Sequence, residues 1–394
     1  MISEKLLADR TKNMGASVIR EILKFATQPG VISLAGGLPA PGSFPLDIID
    51  ELTSKVIKKY CTRAFQYGRT EGFEPLREEI SKYLAGRGMN IPLEDIFISS
   101  GSQGVLDALG KILISKGDRI AVEAPTYLGA IQAFNPYAPE YIRMDTDESG
   151  LIPESMEEAI INHDVKMVYL VPTFQNPTGR TIPLERRKKI AEIAQKHNAL
   201  VIEDDPYGRL RYRGDELPTI KSLAPENVVY VGSFSKVFAP GLRLGYYTAP
   251  KLIGKWLILA KQGVDLHTST FNQALASEFL GGGYLEKHIP EIIKLYRPKQ
   301  EAMLEAMDKY FPASFRWGKP DGGMFIWAEG PDFINIDKIY EEAIKAKVAF
   351  VPGKYFYTNK SEGQATMRLN FTMSDEKTID EAVQRLALVI NKNT

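Results

Sequence analysis

Between residues 96 and 231 the sequence alternates short apolar runs with longer amphipathic segments, and this alternation restricts the fold more than any other feature. Strands are predicted at residues 96–99, 119–125, 166–172, 199–205 and 228–231. Helices are predicted to begin at Ser102, near Tyr127 and at Leu184. Strands that alternate with helices form a mainly parallel sheet with helices on both faces. We therefore expect an α/β fold.

Polar and aromatic side chains follow these strands at the points where the strands end. In chain order they are Ser102, Tyr127, Asn176, Asp204, Tyr207 and Lys236. In an open α/β sheet, ligands bind beyond the carboxyl ends of the strands. The sequence therefore predicts that these side chains lie around one ligand site.

The segment Ser233–Arg243 indicates which ligand that is. Two hydroxyl groups, Ser233 and Ser235, stand with Arg243 near Lys236. Hydroxyls and a guanidinium suit a phosphate, and a lysine among them can form a Schiff base with an aldehyde. A phosphate and an aldehyde on one small molecule suggest pyridoxal phosphate. The alternative is an ordinary surface lysine in a polar loop.

The other site candidates can be matched to parts of this cofactor. Asp204 would keep the pyridine nitrogen protonated, which makes the ring an electron sink. Tyr207 and the Asn176 amide would reach the ring's 3′-oxygen, and Tyr127 would stack on the ring. Each has a structural alternative, because Asp204 could cap a turn or helix, Asn176 lies in a turn-like Asn-Pro-Thr-Gly, and Tyr127 could be a core aromatic.

Two further groups complete the prediction. A strand–Gly-Ser–helix junction presents free backbone N–H groups to an anion, so Gly101, Ser102 and Gln103 are assigned to the phosphate. Arg368 stands in an apolar strand, where an unpaired arginine is unfavourable. It would grip a substrate α-carboxylate through two hydrogen bonds, or form a structural ion pair.

The regions on either side of the alternating core suggest a second domain. Helices are predicted at residues 46–60, 74–84, 251–262, 270–280, 284–310, 335–347 and 375–392, and strands at 322–327 and 367–371. A helix at residues 16–25, with Ser17 as a possible cap, precedes an apolar Gly36-Gly37 turn. We predict an N-terminal segment (1–45) that joins a small C-terminal α+β domain (296–394), and a large domain at 46–295. Arg20, Gly37 and Arg368 would then line the cleft between the domains.

The composition excludes several classes of partner. Lys+Arg and Asp+Glu both number 49, so no basic field favours nucleic acid or a membrane surface. No run of about 18 apolar residues predicts a membrane span, and the first residues lack the layout of a signal peptide. The single cysteine, Cys61, excludes an intrachain disulfide. We expect a cytoplasmic protein without a metal.

With these motifs in order, the chain resembles the class I, fold-type I aminotransferases that depend on pyridoxal phosphate. The motifs are Tyr67, Gly101-Ser102-Gln103, Asn176-Pro177-Thr178-Gly179, Asp204-x-x-Tyr207, Ser233-x-Ser235-Lys236 with Arg243, and Arg368. Stretches such as Ser17-x-Ile19-Arg20-Glu21 and Gly36-Gly37-Leu38-Pro39 are most similar to the α-aminoadipate/kynurenine aminotransferase branch. Tyr127 departs from the aspartate-type enzymes, which carry a tryptophan there.

The resemblance implies more than the residues alone. It implies a seven-stranded, mainly parallel sheet flanked by helices, a smaller α+β domain, and a homodimer in which Tyr67 reaches the partner's cofactor phosphate. Lys236 would hold the cofactor as a Schiff base and then move the proton. Ser17, Arg20, Gly37, Asn176 and Arg368 would contact the substrate, and Arg20 could bind a distal carboxylate. An L-amino acid would donate its amine, and a 2-oxo acid, expected to be 2-oxoglutarate, would accept it in a ping-pong reaction.

Other functions remain open at this point. A lyase or decarboxylase can use the same cofactor and fold, and so can a non-catalytic sensor module. A nucleotide-binding protein is disfavoured, because the chain has neither a Gly-x-Gly-x-x-Gly nor a Walker pattern. Within the aminotransferases, 2-aminoadipate, kynurenine, aromatic and branched-chain donors all fit, and so does broad specificity.

Overall fold

A computed structural model describes residues 3–15, 22 and 28–394, and its centre is a seven-stranded sheet. In chain order the strands are β1 (Ile96–Ser99), β2 (Arg119–Glu123), β3 (Glu140–Met144), β4 (Met167–Leu170), β5 (Val201–Asp205), β6 (Val228–Ser233) and β7 (Gly245–Thr248). Across the sheet they lie in the order β1-β7-β6-β5-β4-β2-β3. Only β7 is antiparallel to its neighbours. The expected α/β class and the seven-stranded, mainly parallel sheet are confirmed.

The sheet is buried on both faces because alternate residues of its strands enter two different cores. Val168 and Val201 pack into one core, whereas Tyr169 and Ile202, their neighbours in sequence, pack into the other. Side chains alternate across a strand, so a strand covered by helices on both sides must be apolar at nearly every position. This is why β4 and β5 read as continuous apolar runs in the sequence.

Twelve α-helices lie in the described part of the chain. They are α1 (Leu46–Tyr60), α2 (Glu74–Gly86), α3 (Ser102–Leu113), α4 (Leu128–Phe134), α5 (Pro153–His163), α6 (Leu184–Lys196), α7 (Ile220–Leu223), α8 (Lys251–Gln262), α9 (Thr270–Gly281), α10 (Tyr284–Tyr310), α11 (Ile336–Lys345) and α12 (Glu376–Asn391). The predicted helices after residue 45 are all present with small shifts of their ends. The predicted helix at 16–25 lies, apart from Ile22, outside the described residues.

A second, antiparallel sheet is formed by the C-terminal part of the chain. Its strands are β8 (Arg316–Trp317), β9 (Phe325–Glu329), β10 (Val351–Pro352) and β11 (Thr366–Asn370), in the order β8-β9-β11-β10. Ile32–Ser33 pairs in parallel with Val348–Ala349, which brings the N-terminal segment to this region. The division of the chain at residues 45 and 295 stays a prediction, and α10 runs unbroken across the second point.

Two strands of the central sheet were not predicted. Strand β3 lies at one edge of the sheet, and β7 lies antiparallel between β1 and β6. In the described residues, no helix is long and apolar enough to cross a membrane.

Candidate active site

A cavity of about 480 Å³ lies beyond the carboxyl ends of the parallel strands. Its lining includes most of the predicted site residues, namely Gly37, Ser102, Gln103, Tyr127, Asn176, Asp204, Tyr207, Ser233, Ser235, Lys236, Arg243 and Arg368. Parallel strands end on the same edge of a sheet, so residues that are far apart in sequence meet there. The structure thus brings together the residues that the sequence assigned to one ligand.

Asp204 is the next-to-last residue of strand β5 and is almost completely buried, with 2% of its surface exposed. Its Oδ2 accepts a hydrogen bond of 2.8 Å from the Tyr169 hydroxyl, whereas its Oδ1 has no partner among the described residues. Burial raises the pKa of the carboxyl to about 7, although the bond from Tyr169 opposes the rise. A buried acceptor without a donor is rare in a folded protein and indicates a missing partner. The N–H of a protonated pyridine ring would supply that donor.

Asn176, Tyr207 and Arg368 form a connected group on the wall of the cavity. Arg368 Nη1 donates to Asn176 Oδ1 over 2.7 Å, which turns the amide so that its Nδ2 lies 3.3 Å from the Tyr207 hydroxyl. An amide nitrogen and a phenol side by side can both donate to one ligand oxygen, as predicted for the 3′-oxygen of the cofactor. Burial raises the pKa of Tyr207, so the phenol remains a donor near neutral pH.

The guanidinium of Arg368 is buried without a carboxylate partner. Its Nη2 donates to the carbonyl oxygen of Ala35 over 2.6 Å, and its Nε has no partner in the described part of the chain. No acidic side chain among the described residues forms a salt bridge with it. Burial lowers its pKa to about 10. The geometry therefore gives no support to a structural ion pair and leaves a donor for an anion.

The Lys236 side chain reaches the same cavity from the segment after β6. Its Nζ donates to the carbonyl oxygen of Gly37 over 2.8 Å. Burial lowers its pKa to about 8, and the positive charges of Arg368 and Arg243 contribute to this. An amine with a lowered pKa is available uncharged near neutral pH, which both nucleophilic attack and proton abstraction require.

The opposite end of the cavity suits a phosphate. Gly101 has φ +84° and precedes helix α3, which begins at Ser102. A Cβ at Gly101 would lie 2.7 Å from Arg243 Nη2, so only glycine allows the arginine to lie against this turn. The start of α3, the hydroxyls of Ser233 and Ser235, and the Arg243 guanidinium together supply N–H, O–H and positive charge. This donor set fits the phosphate of pyridoxal phosphate.

Of the predicted side chains that the structure describes, Tyr67 does not line this cavity. Tyr67 is 80% exposed, and its ring lies edge-on to His267, with 5.7 Å between ring centroids. Ser17 and Arg20 lie outside the described residues. The substrate roles of these two residues and the dimer role of Tyr67 therefore stay predictions.

The sequence reasoning missed the side chains behind the site. Tyr169 holds Asp204, and the rings of Phe325 and Phe356 lie 4.3 Å and 5.0 Å from the Arg368 guanidinium carbon. Cation–π contacts of this kind stabilise a buried guanidinium that has no counter-ion. In the sequence these residues belong to apolar runs, and nothing in the runs distinguishes them from ordinary core aromatics.

The family is shown by comparison with known proteins. The sequence model of the family "Aminotransferase class I and II" matches residues 40–386. The aromatic-amino-acid aminotransferase 1 of Thermococcus litoralis is 44% identical, over 99% of this chain and 95% of the relative.

Solved structures of similar proteins agree with the family and with the cofactor. The kynurenine aminotransferase of Pyrococcus horikoshii, in complex with PMP, is 46% identical with a TM-score of 0.95, over 99% of this chain and 98% of that one. The α-aminoadipate aminotransferase of Thermus thermophilus, complexed with N-(5′-phosphopyridoxyl)-L-leucine, is 36% identical with a TM-score of 0.92, over 99% of both chains. The chain therefore belongs to the class I and II aminotransferases, with the type I fold and with pyridoxal phosphate as its cofactor.

Proposed function

We propose that this aminotransferase takes the amino group of a large L-amino acid and delivers it to 2-oxoglutarate by a ping-pong mechanism. The observation that carries the proposal is that three buried charged side chains converge on one cavity with bonding capacity left over. They are Asp204 and Arg368, which have an oxygen and an N–H without a partner among the described residues, and Lys236, which has a lowered pKa. An anionic acceptor, a cationic donor and a base are the groups that the reaction needs.

When bound, pyridoxal phosphate supplies the electron sink that stabilises negative charge at the substrate Cα. Asp204 maintains the charge on the ring nitrogen, and Asn176 and Tyr207 hold the 3′-oxygen. Lys236 Nζ takes the proton from Cα and returns it at C4′, which its lowered pKa favours. All four residues line the same cavity.

Arg368 favours transamination over the alternative chemistries of the same cofactor. Its guanidinium would hold the α-carboxylate of the amino acid through charge-assisted hydrogen bonds, in competition with its present bond to the Ala35 carbonyl. A carboxylate that is held in this way keeps its charge and its bond to Cα, whereas a decarboxylase must release it. For this reason we prefer an aminotransferase to a decarboxylase.

The proposed donors are 2-aminoadipate, kynurenine and aromatic or branched-chain amino acids, with broad specificity. The similar proteins are named for aromatic amino acids, α-aminoadipate and kynurenine. Leu38 and Leu128 line the cavity beside Gly37, and these apolar groups suit a large side chain. Ser17 and Arg20 would complete this end, with Arg20 binding the distal carboxylate of 2-aminoadipate or 2-oxoglutarate.

The visible absorbance of the purified, cofactor-loaded protein tests this proposal directly. Single amino acids added without an acceptor should convert the cofactor to its amine form and bleach the absorbance, and the rates should rank the donors. Adding 2-oxoglutarate to the bleached protein should restore the absorbance without any amino acid present. A donor that is consumed with release of carbon dioxide, or an absorbance that no oxo acid restores, would contradict the proposal.

The same proposal includes a cytoplasmic homodimer in which Tyr67 completes the partner's site. The exposure of Tyr67 at 80% and of its neighbour Phe65 at 66% supports this, since large apolar surfaces are normally covered. A tyrosine on an outward-facing loop can donate to a phosphate only in a second copy of the chain. The single cysteine agrees with a reducing compartment.

Hybrid dimers would distinguish a contribution of Tyr67 across the interface from one within its own chain. Tyr67→Ala and Lys236→Ala proteins, each impaired alone, are unfolded together, refolded with pyridoxal phosphate and assayed. If Tyr67 acts on the partner, one site of the hybrid has both intact residues and activity returns. If it acts within its own chain, every site lacks one of the two residues and the mixture stays inactive.

A further inference from the structure

The side chain behind Asp204 has a role in cofactor binding that the site residues alone do not explain. A carboxylate has two oxygens, and only one can face the ring nitrogen. Asp204 Oδ1 has no partner in the part of the chain that the structure describes, whereas Oδ2 accepts from the Tyr169 hydroxyl over 2.8 Å. Among the described residues, Tyr169 is thus the one side chain that fixes the rotation of this carboxylate.

The sheet places the two residues in register. Tyr169 on β4 is paired with Ile202 on β5, and Asp204 lies two residues further along the same strand. Because alternate residues of a strand share a face, Tyr169 and Asp204 project on the same side as diagonal neighbours. A tyrosine is long enough to span this diagonal, so its hydroxyl meets the carboxylate at the carboxyl end of the sheet.

Tyr169 is built into the protein as a fixed donor. It is completely buried, and its ring packs edge-on against Phe134 with 6.0 Å between centroids. Burial raises the pKa of its phenol well above the usual value, and the nearby negative charge of Asp204 adds to this. The Tyr169 hydroxyl therefore stays neutral and acts as a donor to the Asp204 carboxylate. An ionised carboxylate is a stronger acceptor than a protonated one, so this bond favours the ionised form.

We propose that Tyr169 is a positioning residue that holds Asp204 ionised and turns Oδ1 toward the cofactor's ring nitrogen. It touches neither the cofactor nor the substrate and acts through Asp204. Without the hydroxyl, the buried carboxyl would rotate and take up a proton more readily, so its attraction for the protonated ring nitrogen would fall. The inference depends on the cofactor and is independent of which amino acid is the donor.

The test compares two cofactors on Tyr169→Phe and the wild-type protein. One is pyridoxal phosphate, and the other is its 1-deaza analogue, in which carbon replaces the ring nitrogen so that Asp204 has nothing to bind. Dissociation constants are measured by equilibrium dialysis on apoprotein. The preference for pyridoxal phosphate over the analogue should fall about tenfold or more in Tyr169→Phe, as expected for the loss of a hydrogen bond to a charged group. An unchanged preference, including equal weakening of both cofactors, would overturn the proposal.

Two variants keep the result interpretable. Tyr230→Phe is the matched control, because it also removes a buried tyrosine hydroxyl from an aspartate, namely the 2.8 Å bond to Asp205. It should leave the cofactor preference unchanged. In an Asp204→Asn background, adding Tyr169→Phe should also leave the preference unchanged, since the carboxylate through which Tyr169 acts is gone. A further fall in the double variant would contradict the assigned route.

Discussion

Adjacent residues of strand β5 show two ways of burying a carboxylate. Asp205 accepts hydrogen bonds from Arg87, the Tyr230 hydroxyl and the Gly208 amide, at 3.1, 2.8 and 2.9 Å, and the positive charge of Arg87 helps to hold its pKa below the usual value. Within residues 3–15, 22 and 28–394, Asp204 has one donor and one oxygen without a partner, and burial raises its pKa to about 7. Strand alternation sends the two side chains to opposite faces of the sheet.

The same contrast separates two fully buried arginines. Arg187 donates to the carbonyl oxygens of Ile182, Pro218 and Pro172 and to the hydroxyl of Thr173. Arg368 lines the cavity and donates to two neutral oxygens, and its Nε has no partner among the described residues. The bonds of Arg187 connect the segments at residues 172–173, 182 and 218. Arg368 keeps a hydrogen-bond donor for a ligand.

Two buried lysines repeat the pattern. Burial lowers the pKa of both to about 8. Lys221 Nζ donates to the carbonyl oxygens of Pro225 and Val228, at 2.6 and 2.8 Å. Among the described residues, Lys236 Nζ donates to one acceptor, the Gly37 carbonyl oxygen, at 2.8 Å.

The comparison teaches that burial and a shifted pKa do not identify a functional charged group. The cavity residues Asp204, Arg368 and Lys236 share both properties with Asp205, Arg187 and Lys221. The difference is how completely the protein satisfies the group. A satisfied buried charge stabilises the fold, whereas an unsatisfied one destabilises the empty protein and is tolerated where a ligand completes it. Variants of the cavity residues should therefore lose activity, whereas variants of Asp205, Arg187 and Lys221 should lose stability.

The lysine pair gives the largest expected difference. Lys236→Ala should lower turnover by at least about a thousandfold, since it removes both the attachment point and the base, and should leave the stability of the apoprotein nearly unchanged. Lys221→Met should keep turnover and lower the free energy of unfolding by about 1–3 kcal/mol, because two carbonyl oxygens lose their donor. Steady-state assays and urea unfolding of both proteins measure the two effects. Wild-type turnover in Lys236→Ala would disprove the mechanism.

The arginine pair should divide in the same way. Arg187→Met should lower the free energy of unfolding by about 4 kcal/mol or more, because it leaves several buried acceptors without a donor. Arg368→Met should instead lower kcat/KM for every amino acid, by an amount that corresponds to about 2–5 kcal/mol of activation free energy. The loss should be common to all donors because each of them has the α-carboxylate. If the loss in Arg368→Met differs strongly between donors, the arginine contacts the side chain and its assignment to the carboxylate is wrong.

Much of this fold could be predicted because its signals are local. The pattern of apolar residues predicted the helix at 46–60 and the strands of the parallel core. The residues at the carboxyl ends of those strands then predicted the ligand site. Strand β3 was missed because it lies at the edge of the sheet and most of its residues are not buried, so Glu140–Met144 forms no continuous apolar run. Strand β7 was missed because an antiparallel strand needs no crossover helix, so it leaves no strand–helix alternation in the sequence.

The cavity residues were predictable because each belongs to a sequence motif, whereas the buried aromatic side chains that contact them belong to none. Tyr169 and Phe325 are indistinguishable from core aromatics until the sheet brings them beside Asp204 and Arg368. The sequence also could not show which of two adjacent aspartates would be satisfied by the protein. That depends on Arg87, a residue more than a hundred positions away.

The aspartate pair gives the last test, in which pH should act on the two residues in opposite directions. Asp204 has a folded-state pKa near 7 against a usual 3.8, so the folded apoprotein binds the extra proton and loses stability as pH rises between these values. Asp204→Asn removes this loss and should stabilise the apoprotein by about 3 kcal/mol at pH 8, and by less at pH 5.

Asp205 has a lowered pKa, so its contribution is present at pH 8 and is lost as pH falls through the folded-state value. Asp205→Asn should therefore destabilise the apoprotein to the same extent at pH 8 and pH 5, because both lie above the usual carboxyl pKa of 3.8, and the difference should shrink only below that value. Urea unfolding of the three apoproteins at pH 5 and pH 8 measures this, and a destabilised Asp204→Asn at pH 8 would show that the carboxylate is a structural group like its neighbour.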